Sequence, residues 1–166
     1  MQETKDDLRR LQALLDESHE QAGAHLRSII TPERRLTASD LAERLTGMKL
    51  LALATSSADG APLVGAVDGI FYRGEFWFGS GTDALRFRHI RRRPRVSATH
   101  LPGEQLAVTV HGSAHIEGKV ADLTPGFHEV CIDIYGDEWL NWGDEALYAR
   151  IEPARMFTFH MDATDS

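Results

Sequence analysis

Apolar residues recur along this chain with two different periods, and each period marks a different kind of element. Near the start, Leu8, Leu11, Leu15, Ser18, Ala22, His25 and Ile29 alternate steps of three and four, the seam of an amphipathic helix or a short coiled coil. Three of those seven positions are weakly apolar or polar, which favours a helix packed on a larger body or across a partner subunit over a free-standing zipper. Thr31-Pro32-Glu33 then restarts the chain with Pro at a first helical position. Thr37-Ala38-Ser39-Asp40 has the form of a capping box ahead of a helix over Leu41 to Thr46, with Gly47 as its stop.

From Met48 onward the pattern shortens to that of strands. Met48 to Ala54 is apolar and runs into Thr55-Ser56-Ser57-Ala58-Asp59-Gly60, whose Asp-Gly step signals a hairpin. A second strand runs from Ala61 to Val67. Asp68-Gly69 reads as a turn or bulge, after which Ile70-Phe71-Tyr72 resumes and Arg73-Gly74-Glu75 turns the chain into Phe76-Trp77-Phe78. The result is an antiparallel meander. A short helix from Ala84 to Arg93 follows and stops at Pro94, with Leu85, Phe87 and Ile90 towards the core and Arg91, Arg92 and Arg93 outward. Beyond it lie a strand from Pro94 to His100, a turn at Leu101-Pro102-Gly103-Glu104, a long strand from Gln105 to Ile116 and a last strand at Leu147 to Phe159.

The junction of the third strand and the arginine helix carries the first candidate chemistry. Ser80, Gly81 and Thr82 are small and bear hydroxyls, and they sit where a helix presents free N–H groups and the positive end of its dipole, an arrangement that admits a phosphate. Arg86, one turn in, can close over it. Thr82-Asp83 is equally an ordinary N-cap with an acidic first turn, the commoner reading of such a step, and Asp83 would repel an anion held too near.

Four strands, a short helix entered at a Ser/Thr-Gly step, then Arg95-Val96-Ser97 after Pro94 and two more strands, resembles the split-barrel flavoprotein family of pyridoxamine 5'-phosphate oxidase-like proteins and deazaflavin-dependent reductases. The resemblance spans about Leu41 to Gly118 together with the last strand. It implies an α+β, mainly β fold: an antiparallel six-stranded split β-barrel of the FMN-binding type with flanking helices. Residues 1–36 form a helical extension and residues 37–166 the flavin-binding domain. It further implies a flavin across the second and third strands, with its phosphate on Ser80, Gly81, Thr82 and Arg86, and its ring along Val64, Gly65, Ala66 and Val67. An arginine suits the phosphate because its planar fork donates two hydrogen bonds at once. In this family the second subunit completes the flavin site, so a homodimer is expected, with Trp139 or Trp142 over the partner's cofactor; the plainer role, pinning the loop to the core, is the commoner one for at least one of the two.

The departures bear on the reaction. The oxidase itself carries basic residues on the second strand and a late Arg-x-His pair for its phosphorylated substrate. Here Leu63 to Val67 has no Lys or Arg and no such pair occurs near the C-terminus, which argues against vitamin B6 phosphate. FMN is the expected cofactor. Coenzyme F-420 is the alternative, since Arg88, Arg91 or Arg92 could serve its longer anionic tail. The expected activity is a flavin-dependent oxidoreductase acting by hydride transfer on a small molecule, the flavin performing the chemistry; a non-catalytic flavin-binding or storage protein is the other class. No catalytic acid or base stands out.

Composition limits the remaining choices. At 166 residues and 42% hydrophobic, the chain has material for one core and a few outlying elements. Against a net charge of -7, Arg86, Arg88, Arg91, Arg92, Arg93 and Arg95 form a local basic cluster, yet no nucleic-acid motif accompanies it, and such runs are usually a solvated face. Cys131 is the single cysteine, so no internal disulfide is possible, and it reads as a small buried residue on a helix. No signal peptide or long apolar span is present, so a cytoplasmic protein off the membrane is expected. His111 and His115 share a strand face but lie too far apart to chelate one ion easily; no metal is expected.

Overall fold

The computed structural model describes residues 2–161. Six strands, β1 (Met48–Ser56), β2 (Pro62–Tyr72), β3 (Glu75–Gly81), β4 (Arg95–Gly103), β5 (Leu106–Gly118) and β6 (Ala146–His160), close into an antiparallel barrel in the order β1-β2-β3-β6-β5-β4. Closure pairs β4 with β1, so edges stay open only where neighbouring strands part. Inward-facing Leu51, Leu53, Val67, Phe76, Phe78, Val108, Val110, Ile151 and Met156 fill the interior.

Helix α1 (Lys5–Glu20) closes one side of the barrel. Its Thr4–Asp7 capping box fixes its start, and Leu11 and Leu15 join the same core as the barrel interior. Ser18 is the polar member of the apolar seam for a physical reason: its Oγ accepts the Met156 N–H at 3.0 Å, satisfying a buried backbone donor of β6. The seam does not continue to Ile29. The chain leaves the helix at Gln21, α2 (Ala24–Ile29) starts afresh, and His25 and Ile29 lie exposed while Ala22 is buried. The Pro32 segment forms only a 3-10 turn, Pro32–Arg34. Helix α3 (Ala38–Arg44) begins at the expected Thr37–Asp40 capping box, and Gly47 follows it at φ 81°.

Three sequence expectations need correction. Asp68-Gly69 is neither a turn nor a bulge: β2 runs unbroken, with Leu50 opposite Asp68 and Lys49 opposite Gly69. Gly69 is required for packing, because a Cβ there would lie 2.4 Å from Leu51 Cδ1. The turn expected from Leu101 to Glu104 narrows, since β4 extends to Gly103, which faces Leu106. In α4 (Leu85–Arg92), Phe87, His89 and Ile90 are buried whereas Leu85 is exposed; His89 takes the inward place by bonding Thr55 Oγ1 through Nδ1 at 2.9 Å.

A second apolar cluster lies outside the barrel. Helix α5 (Pro125–Tyr135) lays Phe127, Val130 and Cys131 over Ile70, Tyr72, Trp77 and Tyr148 of β2, β3 and β6. Phe127 stacks on Trp77 with ring centroids 4.2 Å apart. The short helix α6 (Trp139–Trp142) follows. Trp139 is fully buried and donates its Nε1–H to Tyr148 Oη at 2.8 Å, anchoring the loop to the barrel.

Candidate functional site

Strands β2 and β3 separate partway along their length. They pair only from Gly69–Phe78 to Tyr72–Glu75. Beyond that point Gly79, Ser80 and Gly81 continue on β6, and the rest of β2 pairs with β1 alone. One edge of β2 is therefore open. Arg86 reaches it from α4, donating from Nη1 to the Ala66 carbonyl oxygen at 3.2 Å. Alternate residues of an antiparallel strand turn both backbone groups to the same side. Val64, Ala66 and Asp68 accordingly present N–H and C=O to the open edge, whereas Gly65 and Val67 turn theirs to β1.

A cleft of about 310 Å³ lies beside the separation. Gly79, Ser80 and Gly81 form one side, Asp68 and Ile70 of β2 another, and Trp77, Phe127 and Tyr148 an aromatic wall. Tyr135 and Trp142 meet edge to face at 5.4 Å across the remaining side, close to Glu145. Gly79 is needed for this shape: a Cβ there would lie 2.9 Å from the Tyr148 ring.

Burial first, then the nearby Asp68 carboxylate, pushes the Tyr135 phenol pKa well above its ordinary value, so Tyr135 stays protonated near neutral pH. Burial likewise raises Tyr148, opposed by its bond from Trp139. Cys131, fully buried, is pushed up to about 12 by burial, which leaves an unreactive thiol.

The residues singled out in the sequence fall into two groups around this opening. Ser80, Gly81 and Trp142 line the cleft. Gly65, Ala66 and Arg86 meet at the β2 edge, and the missing Cβ of Gly65 leaves room for the guanidinium, whose Nη2 would otherwise stand 3.2 Å from it. Val64 is exposed on the outer face, while Val67 turns its side chain into the core. Thr82 is exposed and is not the helix cap; that position belongs to Ala84, which supplies no side-chain acceptor. Trp139 packs, and only Trp142 faces the opening.

Asp68, which the sequence allows as a substrate-facing carboxylate though its glycine neighbour favours a turn, lines the cleft. Sequence reasoning missed Tyr135, Glu145 and Tyr148 as its neighbours, since they reach the cleft through the docking of α5 and α6, which no local signal encodes. His111 bonds Ser97 Oγ at 2.7 Å, and His115 lies near Glu152. Among the described residues no group of three or more His, Cys, Asp or Glu is placed to hold a metal, and no helix is long and apolar enough to cross a membrane.

The site thus sits on an antiparallel six-stranded barrel whose second strand is open along part of one edge, with Arg86 of the following helix set against it. Residues 38–163 match the pyridoxamine 5'-phosphate oxidase family across most of the chain, and the chain belongs to that family. Among solved structures, it is similar to the conserved hypothetical protein Rv2991 of Mycobacterium tuberculosis (TM-score 0.64, 20% identity, 78% of this chain and 88% of that one). It is also similar to HutZ, the heme storage protein of Vibrio cholerae (TM-score 0.58, 17% identity, 73% and 91%). A third is an F420 reductase (TM-score 0.52, 19% identity, 68% and 91%). At these identities the likeness is one of fold. No curated protein matches the chain.

Proposed function

We propose that this chain is a flavin-dependent oxidoreductase that binds FMN at the opening between β2 and β3 and acts on a small molecule. The observation that carries the reading is Arg86 held at the open edge of β2 by the Ala66 carbonyl. Arg86 comes from the first turn of α4, whose first N–H groups lack a side-chain cap, and Ser80 lines the cleft beside the same separation of β2 and β3. That donor set fits a phosphate. The open backbone groups of Val64, Ala66 and Asp68 offer donors and acceptors for the rim of a planar ring, and the small residues Gly65 and Ala66 leave the approach clear.

A bound flavin supplies hydride transfer. This chain's own residues hold and shield it: Arg86 and Ser80 anchor the phosphate, the β2 edge orients the ring, and Trp142 with Tyr135 limits water at the cleft. Tyr135, protonated, offers a hydrogen bond without a charge.

A homodimer fits this reading. Leu50 of β1, Val64 of β2 and Leu101 of β4 are 58%, 69% and 64% exposed, apolar surface that a second copy would cover. A second copy is the occupant that places another wall next to the open β2 edge.

Coenzyme F-420 in place of FMN is the second reading, favoured by the exposed Arg88, Arg91 and Arg92 on α4, which suit a longer anionic tail. The absorbance spectrum of the purified protein, with mass spectrometry of what heat releases, decides between them. An FMN signature is expected. A colourless protein that binds neither cofactor on titration would overturn the proposal.

A further inference from the structure

We infer that the groove where β1 ends and β4 begins is a second anion site, separate from Arg86, that takes a phosphate dianion, free or at the end of a small molecule. It owes nothing to the flavin reading and stands or falls apart from it.

The groove, about 710 Å³, lies across β1, β4, β5 and β6, and its polar lining includes Arg95, Ser97, His111, Ser113 and Arg155. Strand register explains why these residues meet. Ala54 faces Ser97, Ser97 faces His111 and His111 faces Arg155, one row across four strands, while Arg95 faces Ser113 in the next. The two arginines thus flank β5, two strand spacings or roughly 10 Å apart across the sheet, a gap that two long side chains can close on an anion between them.

Arg155 joins this row because β6 carries one extra residue. Arg155 pairs with His111 and Pro153 with Gly112, which leaves Ala154 over. Pro153 has no N–H for the ladder, and the bulge lets Ile151 and Met156, five residues apart, both face the core. Gly112 admits the bulge, since a Cβ there would run into the Glu152 carbonyl oxygen.

The chain has 25 acidic residues against 18 basic ones, yet no Asp or Glu lines this groove. Glu152, the carboxylate opposite Ser113, lies 2.8 Å from His115 Nε2 instead. Neither Arg95 nor Arg155 is in an ion pair among the described residues. Each guanidinium can donate two parallel hydrogen bonds to phosphate oxygens. Ser97 Oγ and His111 Nδ1 are 2.7 Å apart; when the hydroxyl donates to Nδ1, Nε2 carries the ring proton and becomes a further donor, the tautomer an anion selects. A tetrahedral phosphate presents oxygens to both arginines at once, whereas a carboxylate faces one way.

Backbone amide shifts of Ser97, His111 and Ser113, followed by NMR as inorganic phosphate is added at constant ionic strength, test this. The titration is run on Arg86→Ala protein, so that the start of α4 cannot answer for the groove. The three amides should shift and saturate together. Adding Arg95→Gln/Arg155→Gln should weaken phosphate binding by about fivefold to tenfold, the combined effect of two exposed charge pairs. Adding Arg9→Gln/Arg44→Gln removes the same charge away from the groove and should leave the affinity unchanged. All four arginines are exposed, and thermal melts check that each variant folds. Phenyl phosphate binding more tightly than inorganic phosphate places a phosphomonoester in the groove and equal binding the free ion; either result bears the inference out. Amides that do not respond, as when a second copy covers the groove and takes up both arginines, would overturn it. So would an Arg95→Gln/Arg155→Gln variant that binds phosphate as well as the protein carrying Arg86→Ala alone.

Discussion

Arg86 donates to the carbonyl oxygen of Ala66 across 3.2 Å, joining α4 to β2 where its edge has parted from β3. A carbonyl is a modest partner for a guanidinium with five donors. Most of its hydrogen-bonding capacity remains available to an anion, and its position is already set before one arrives.

Replacing Arg86 by Ala should lower FMN affinity by about 1.5 to 3 kcal/mol, the scale of a hydrogen bond to a charged group. Arg86→Lys should recover part of that loss, since a point charge replaces the fork. Fluorescence titration of FMN measures both. A loss well below the range would place the phosphate away from α4.

Asp83 would act against a phosphate held by Ser80 and Arg86. Its Oδ1 lies 3.5 Å from where a Cβ on Gly81 would stand, which sets a carboxylate beside the Gly81 side of the cleft. Asp83→Asn should therefore tighten FMN binding, by about twofold to fivefold, the upper range for an exposed charge pair. The gain should shrink as salt is raised. Unchanged affinity at low salt would mean that the phosphate never approaches Gly81.

The two tryptophans of the Trp139–Trp142 helix should respond in opposite ways. Tyr148→Phe removes the acceptor for the buried Trp139 Nε1–H, leaving an unpaired donor at a cost of about 1 to 3 kcal/mol of stability. Trp142→Ala removes a half-exposed ring at the cleft mouth; it should leave the melting temperature nearly unchanged and weaken flavin retention. Thermal melts and flavin occupancy, measured on both variants, separate the anchoring role from the covering one.

The strands were legible because their alternation is local. The strand read over Met48–Ala54, two residues short of its observed end at Ser56, and the turn at Arg73-Gly74 follow from residue type alone, and the Thr37–Asp40 capping box is a four-residue signal that the structure reproduces. Gly69 misled because glycine beside aspartate is usually a turn, whereas here its missing Cβ accommodates Leu51 from the neighbouring strand. Leu85 misled for a related reason: helical spacing assigns it inward, but the buried His89–Thr55 bond sets the rotation of α4. Ser80, Gly81 and Arg86 stand within one junction of the chain, so their candidacy could be read locally. Tyr135, Glu145 and Tyr148 were not, because their nearness to Asp68 depends on where α5 and α6 dock, a contact between segments far apart in sequence.

The first helix provides a prediction about pH. Thr4 donates its N–H to Asp7 Oδ2 at 2.9 Å and its hydroxyl at 2.8 Å, while Asp7 N–H returns a bond to Thr4 Oγ1. Burial works to raise the Asp7 pKa, but the Thr4 bonds and the Arg10 guanidinium outweigh it, and the net pKa falls below the ordinary 3.8. A carboxyl whose folded pKa is depressed contributes stability that is complete above its unfolded pKa and disappears as pH falls through the folded one. Asp7→Asn keeps the size of the side chain and loses its charge at the positive end of α1. It should cost about 0.5 to 1 kcal/mol at pH 7, and the gap to the parent protein should close as the pH drops below 3.8. Because Ser18 ties the far end of α1 to Met156 of β6, the loss should register in the global melt as well as in fraying of the helix. Urea melts of the two proteins at pH 7 and at acid pH test this, and a difference that persisted unchanged into acid would show that the cap, not its charge, carries the effect.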